Sequence, residues 1–305
     1  MIGVAENPDK PLPVVLKPVL DELLSSWLGR HAAYYGVTGP FLANWLMLGT
    51  SKLSALDYRL SLPQVARLSE KLRCDPISLL RMTFADTLGR YSDIICRGRV
   101  PQICRPCADR FAQENAADAV LKHWREAWRI TCPVCRSPLC DTDEHYDNRE
   151  SLRDTSPFGF LWSEALAGEE IIERFLGGDD AFEYSPIALM RLLLVQTWRP
   201  LSASYSYESA IGWVIGTVFP DFDVLARPIK RRITHNAIST LPICFRPALL
   251  AGLSRVMANP AMFQELRSAT IFRGRKNFDR FYLEAKTGSK EGTNCENLIG
   301  QYSHN

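Results

Sequence analysis

The sequence predicts a mainly α-helical protein: a helical N-terminal domain with an inserted zinc-ribbon-like module of four cysteines, followed by an α-helical C-terminal domain. Three observations predict this class. Apolar residues recur at helical spacing, several segments open on a proline suited to the first helical turn, and no convincing series of alternating strands occurs. The 305 residues, 46% apolar and 23% charged, exclude wholesale disorder and suffice for two domains.

Four helices are predicted in the N-terminal part, over residues 21–35, 41–48, 62–73 and 77–84. Aspartate is a frequent N-cap residue, so we expect Asp21 to cap the first of these helices. We expect Asp75 to cap the fourth, because Pro76 then occupies the first helical position. The last two helices, joined by a tight turn, indicate either a helix-turn-helix or a generic helical hairpin.

Further along the chain, residues 118–129 have a helix-like pattern, and short strands are expected only near the cysteines. Helical patterns return over 161–176 and 187–198, and again after Arg246–Pro247 and Asn259–Pro260, where proline marks the helix start.

The resulting domain prediction has four parts: an N-terminal helical, helix-turn-helix-like domain over 1–95, a zinc-binding module over 96–145, a helical C-terminal domain over 146–285 and a flexible tail over 286–305.

The total charge of +2 conceals a strong asymmetry along the chain. Residues 151–226 carry four basic and eleven acidic side chains, whereas residues 227–290 carry thirteen basic and three acidic ones. Such a basic segment is typical of a phosphate-binding surface, although the two segments could instead pair with each other. The candidate nucleic-acid-binding residues are Arg227, Lys230, Arg231, Arg232, Arg273, Arg275, Lys276 and Arg280, together with Arg125 and Arg129.

No apolar run approaches the roughly 18–20 residues that a membrane-spanning helix needs. The N-terminus carries Glu6, Asp9 and several prolines where a signal peptide has positive charge and an apolar core. We therefore expect a cytoplasmic protein without a membrane partner.

Two C-x2-C pairs, Cys104–Cys107 and Cys132–Cys135, lie 24 residues apart. Each pair can bend so that both thiolates reach one metal ion, and together they would complete a closed tetrahedral site for one structural Zn²⁺. His123 and Cys140 are alternative ligands, His123 being better explained by packing. A redox dithiol would need a βαβ pattern beside one pair, which the sequence lacks.

The order of motifs resembles the TniQ/TnsD family of transposition target-selection proteins. The matching residues are Ser26, Trp27, Leu28 and Arg30, then Cys104 and Cys107, then Trp128, Arg129, Cys132 and Pro133. Cys135 stands where the family usually has histidine, and a downstream cysteine pair common in the family is reduced here to Cys140. Thiolate and imidazole both bind zinc, so ligation is preserved.

The resemblance implies a protein without catalytic activity that binds DNA, or a guide-RNA effector complex, and recruits a transposase and an ATPase. A non-catalytic protein-interaction scaffold without DNA contact is the alternative. An enzyme is less favoured, because the sequence has no Gly-rich phosphate loop, no His-Glu-x-x-His pair and no G-x-S-x-G elbow. Asp221 and Asp223 alone would hint at a metal-dependent nuclease.

Overall fold

The computed structural model describes residues 10–85, 91–98, 100–142, 150–179, 182–198, 211–226, 238–269 and 279–284. The chain divides into two compact units. Unit 1 comprises Met1–Ser92, Ile103–Glu126 and Cys132–Ser137, and unit 2 comprises Asp93–Gln102, Ala127–Thr131 and Pro138–Asn305. The described residues are mainly helical, which confirms the predicted class.

The α-helices of unit 1 are α1 Leu24–Tyr34, α2 Gly39–Trp45, α3 Leu62–Leu72, α4 Pro76–Arg81 and α5 Arg105–Gln113. Those of unit 2 are α6 Leu152–Thr155, α7 Trp162–Leu176, α8 Pro186–Leu193, α9 Ile215–Val218, α10 Phe222–Ala226, α11 Arg246–Ala258 and α12 Met262–Ala269. The strands are β1 Gln102–Ile103, β2 Cys140–Asp141, β3 Gln196–Trp198 and β4 Ile211–Trp213. Short 3-10 helices occupy Leu53–Ala55, Ser92–Ile94, Lys122–Arg125, Gly159–Leu161, Ile238–Thr240 and Ile243–Phe245.

The predicted hairpin of α3 and α4 is present, and its ends follow the sequence closely. Ser61 and Gln64 form a capping box at the start of α3, and Arg73 ends that helix in the left-handed region at φ 49°. The Asp75 carboxylate accepts a 2.8 Å hydrogen bond from the Ser78 backbone N–H at the start of α4, as predicted. Apolar residues from α1 to α4 pack into one core, so local capping and core burial favour the same helices.

The prediction that Asp21 caps α1 is wrong. The N-cap position is Leu23, and Asp57 accepts the Ser25 N–H at 2.8 Å and the Ser25 hydroxyl at 2.6 Å. A carboxylate from a distant part of the chain therefore satisfies one of the exposed N–H groups of the helix. This leaves Asp21, with φ 63°, outside the helix and available to the candidate metal centre described below.

The prediction of a helix over 118–129 is also wrong, since this stretch contains only the 3-10 turn Lys122–Arg125. Its backbone pairs with the segment before α1 instead: Leu23 N–H donates to Val120 O at 2.9 Å, and Lys122 N–H donates to Asp21 O at 2.7 Å. A backbone group used in this way cannot also serve an α-helix. The helix of this region, α5, lies earlier in the sequence and was not predicted.

In unit 2, α8 and β3 replace the single helix predicted over 187–198. The strand β3 pairs antiparallel with β4, Thr197 facing Gly212 in the register. The end of the predicted helix contains Val195, Thr197 and Trp198. These residue types favour strand conformation once a second strand is available for pairing. Strands therefore occur away from the cysteines, contrary to expectation. Helices after Arg246–Pro247 and Asn259–Pro260 are confirmed as α11 and α12.

Among the described residues, the longest helix is α7 with 15 residues, and none is both long and apolar enough to span a membrane.

Candidate metal centre

The four cysteines of the two C-x2-C pairs come together in unit 1. The Sγ atoms of Cys104, Cys107, Cys132 and Cys135 all lie within 4.8 Å of one another. The Sγ–Sγ distances are 3.2 Å between Cys104 and Cys135, 3.7 Å between Cys107 and Cys132, and 3.8 Å between Cys107 and Cys135. Sulfurs placed about 2.3 Å from a central tetrahedral ion would be about 3.8 Å apart. Most of these distances therefore match such a site.

The first pair lies at the N-terminus of α5. Cys104 is the N-cap residue and Cys107 lies in the first helical turn, which places both thiols at the same helix end. The N-terminal end of a helix favours negative charge, which helps both sulfurs to ionise. The proline between them, Pro106, occupies the first turn, where its missing N–H costs nothing.

The second pair lies in a tight turn. Arg136 N–H donates to Cys132 O at 2.7 Å, and Cys132 N–H donates to Ser137 O at 2.9 Å. Arg136 adopts a left-handed conformation at φ 62°, which closes the turn. Cys132 is fully buried whereas Cys135 is exposed, so one edge of the four-sulfur cluster faces solvent.

The ionisation of Cys104, Cys107 and Cys132 shows what the cluster needs. The hydrogen bond with Cys104, together with the contact with His123, lowers the pKa of Cys132 to about 3 despite burial. Conversely, the hydrogen bond to Cys132, followed by burial, raises the pKa of Cys104 far above its usual range, and burial raises that of Cys107 to about 12. One thiolate thus makes further ionisation of its neighbours unfavourable. A thiophilic divalent cation at the centre would remove that penalty, so the donor set fits zinc.

His123 is the functional residue whose role the sequence did not define. It is buried, and its Nε2 lies 3.4 Å from the Sγ of Cys132, outside the group of four. Its Nδ1 lies 2.6 Å from Asp21 Oδ2, and its backbone N–H donates to the same oxygen at 3.2 Å. Burial disfavours the charged ring, but the contacts with Asp21 and Cys132 outweigh it and raise the pKa of His123 to about 9.

Asp21, His123 and Cys132 therefore form a chain of contacts that ends on one sulfur of the cluster. An imidazolium held by a carboxylate donates one N–H to each neighbour, which favours the thiolate form of the cysteine. The sequence offered a signal for His123, nine residues before Cys132, but none for Asp21.

Cys140, the other alternative ligand, lies on β2 in unit 2. Within the described part of the chain, it belongs to no group of side chains that could hold a metal ion.

Of the candidate nucleic-acid-binding residues, three are described by the structure and the others are not. Arg227, Lys230, Arg231, Arg232, Arg273, Arg275 and Lys276 lie outside the described residues. Arg280 lies 3.8 Å from Glu284. Arg129 pairs with Glu173 and stacks on Trp128 at 4.1 Å, so its guanidinium is already engaged. Burial raises the pKa of Asp57 to about 6, and the half-buried Arg125 opposes this shift slightly, after the two hydrogen bonds from Ser25.

One described ion pair joins a basic residue of 227–290 to an acidic residue of 151–226: Arg255 of α11 binds Glu164 of α7 at 2.9 Å. Arg191 and Glu284, 3.5 Å apart, have the opposite arrangement, with the cation in the acidic segment. Arg246 is buried and donates to Gln102 and to the Arg129 carbonyl, so it serves the core. Among the described basic residues of 227–290, the pairing alternative therefore accounts for Arg255.

Comparison with known families gives one finding: the TniQ family model matches residues 13–139. No curated protein and no solved structure matches the chain. The matched residues include all four cysteines of the cluster. They also include three residues of α1 with specific partners: Ser26 accepts the Val120 N–H, Trp27 donates to Leu16 O, and Arg30 binds Glu22 through two nitrogens.

Proposed function

We propose that this chain, whose residues 13–139 match the TniQ family model, is a zinc-stabilised DNA-binding adaptor of a transposition system. It selects the target site and recruits the transposition machinery, a transposase and an ATPase, to it. The observation that carries this proposal is the four-cysteine cluster within the matched region. A closed four-thiolate site leaves no open coordination position, which favours a structural role over a catalytic one.

Zinc is the metal that the cluster fits best. Four thiolate donors in tetrahedral arrangement select zinc or iron over magnesium and calcium, which prefer oxygen ligands. The pairs come from a helix end and a tight turn separated by 24 residues, so one ion would fasten two distant parts of unit 1. Cys104, Cys107, Cys132 and Cys135 would hold it, and the Asp21–His123 pair would support Cys132 from outside the coordination shell.

DNA contact is assigned to the basic segment 227–290, after the residues engaged in the core are set aside. The remaining arginines and lysines would anchor phosphates, while sequence selection would need additional contacts to bases. In the alternative, a guide-RNA effector complex is the partner, and the phosphates that these side chains bind belong to its RNA. The α3–α4 hairpin would lie near a DNA groove or a partner protein.

Salt dependence tests the DNA contact. We expect affinity for duplex DNA to fall by about a hundredfold or more between roughly 50 and 200 mM salt, because each neutralised phosphate releases counterions. Replacing Arg231 and Arg232 by alanine is expected to reduce the slope of log affinity against log salt by about two. Fluorescence anisotropy with a labelled duplex measures both quantities.

The matched control replaces Lys52 and Arg59, two exposed cations of unit 1, by alanine. It removes the same charge and is expected to leave the slope unchanged. Affinity that does not vary with salt would contradict phosphate anchoring. Absence of DNA binding together with co-purification of a transposase or ATPase would favour the protein-interaction scaffold instead.

The support of Cys132 by His123 is tested by zinc release. His123→Ala and Asp21→Ala are each expected to speed the transfer of zinc to a colorimetric chelator, with apparent affinity reduced roughly 10- to 100-fold. The physical reason is the loss of the N–H donor to the Cys132 sulfur, or of the carboxylate that orients it. His31→Ala is the control, since His31 is equally buried in unit 1 and, within the described part of the chain, hydrogen-bonds the Leu16 N–H and Trp27 O. Equal zinc release in all three variants would show that His123 acts only through general stability.

A further inference from the structure

Unit 1 contains a groove of about 850 Å³ whose lining includes none of the four clustered cysteines. Its walls come from three places: the segment 17–22 before α1, the end of α4 with Met82, and the last turn of α5 with the residues after it. The volume lies in the range of pockets that bind ligands or peptide side chains. The Asp21 carbonyl and carboxylate, bonded to Lys122 N–H and to His123, fix one wall next to the metal centre.

The groove lining carries net positive charge once the two carboxylates that already have partners, those of Glu22 and Asp21, are set aside. Glu22 is buried, and its carboxylate binds Arg30 at 2.6 Å and accepts the Val19 N–H at 2.9 Å. Asp21 is engaged with His123. Lys17, Arg81, Arg110 and Lys122 remain along the lining, and none of these four forms an ion pair within the described part of the chain. Glu114 is the remaining carboxylate of the groove lining.

The apolar part of the lining is aliphatic where it is accessible. Leu20 is 72% exposed, and Val19 and Met82 are half-buried. Phe111, the aromatic residue of the lining, is only 1% exposed and has the Arg110 guanidinium 5.2 Å from its ring centroid. Single-stranded nucleic acid binds through bases stacked on exposed aromatic faces, and this groove offers none. Aliphatic side chains flanked by cations fit a peptide with apolar and acidic residues.

A smaller cavity of about 260 Å³ adjoins the groove and shares Lys17, Pro18, Ser78 and Met82 with it. The rest of its lining is largely apolar and comes from the segment before α1 and from α1, α3 and α4, including Leu16, Trp27 and Leu79. A pocket of this kind beside a charged groove would take one large apolar side chain, while neighbouring residues of the ligand remain in the groove.

We propose that this groove, defined by Lys17, Arg81, Arg110 and Lys122, is a docking site for an acidic segment of a partner protein, anchored by one large apolar side chain in the adjoining cavity. The inference rests on the proposed adaptor function and deepens it, because it assigns protein recruitment to unit 1 and phosphate contact to the basic segment 227–290. Electrostatic complementarity of this kind determines which partner binds and how quickly.

Selection from a display library of short random peptides against the zinc-loaded full chain tests the proposal. We expect enrichment of peptides that combine several acidic residues with a leucine, methionine or phenylalanine. Their affinity should fall about tenfold or more in Lys17→Glu/Arg110→Glu, since reversing two charges of the groove lining replaces attraction by repulsion. The control Lys52→Glu/Arg59→Glu makes the same charge change on exposed residues outside the groove and should bind normally.

The same preparations separate this inference from the proposed function. The Lys17→Glu/Arg110→Glu variant should keep its zinc content and its DNA affinity, because neither residue belongs to the four-cysteine cluster, to the α3–α4 hairpin or to 227–290. Enrichment of neutral or basic peptides, or of none, with zinc and DNA binding intact would overturn the groove proposal alone. Displacement of the selected peptide by a DNA duplex in wild type but not in the variant would assign the groove to nucleic acid and would also overturn it.

Discussion

Replacing Cys132 by serine is expected to abolish zinc binding and to unfold the part of unit 1 that the cluster joins. Structural zinc contributes roughly 10–16 kcal/mol of binding free energy in small zinc modules, about as much as the entire stability of an ordinary domain. The purified wild-type chain should contain about one zinc per molecule, and the variant none. Elemental analysis and circular dichroism of the same samples measure the two effects, and a chelator added to wild type should reproduce the loss of structure.

The chain supplies a matched control for this experiment in Cys74. It is a half-buried thiol of unit 1 between α3 and α4, and burial raises its pKa to about 11, so it stays protonated. Cys74→Ser should keep its zinc and most of its helical signal. A wild-type protein that is folded and free of metal after purification without chelator would contradict the zinc assignment.

Gly168→Ala is expected to have the second large effect, on the stability of unit 2. A Cβ atom at this position of α7 would lie 2.1 Å from the Leu250 carbonyl oxygen and 2.6 Å from its carbonyl carbon in α11. Both are backbone atoms, so the two helices would have to separate. Overpacking of a core costs about 1–3 kcal/mol and more where nothing can yield, so we expect a loss of about 3 kcal/mol in urea unfolding.

Gly252→Ala, on α11 in the same unit, is the control for helix propensity. Its Cβ would meet the end of the Leu193 side chain at 3.2 Å, a flexible group that can shift. The gain in helix propensity from glycine to alanine, about 0.5–1 kcal/mol, should offset much of the cost of that shift. Equal stability of the two variants would show that α7 and α11 do not pack as closely as described.

Several features of the fold could be read directly from the sequence, because their causes are local. Asp75 followed by Pro76 specifies the start of α4 through one side chain and one fixed backbone angle. The apolar spacing of α3 places Val65, Leu68 and Leu72 on one buried face. The C-x2-C spacing brings two thiols to one side of a turn, whatever lies elsewhere in the chain.

Other features depended on partners distant in the chain. Residues 120–122 could have been helical, but their backbone pairs with residues 21–23. The sequence predicts that Asp21 caps α1. In the structure, Asp57 accepts the Ser25 N–H at the start of α1, and the Asp21 carboxylate contacts the His123 ring. The segment 196–198 became a strand because residues 211–213 offered an edge to pair with. Local propensity is worth less than a backbone hydrogen bond that would otherwise be lost on burial.

The sequence by itself determined the helical class, the four cysteines and the family resemblance, since each rests on residue type and spacing over short distances. The tertiary structure decided that the four sulfurs meet, that His123 touches Cys132 and lies outside this group of four, and that a basic groove with an apolar side cavity lies beside the four-cysteine cluster. These depend on side chains up to about a hundred residues apart in the chain, such as Asp21 and His123. Burial and hydrogen bonding across such separations are properties of the folded core, and no local pattern encodes them.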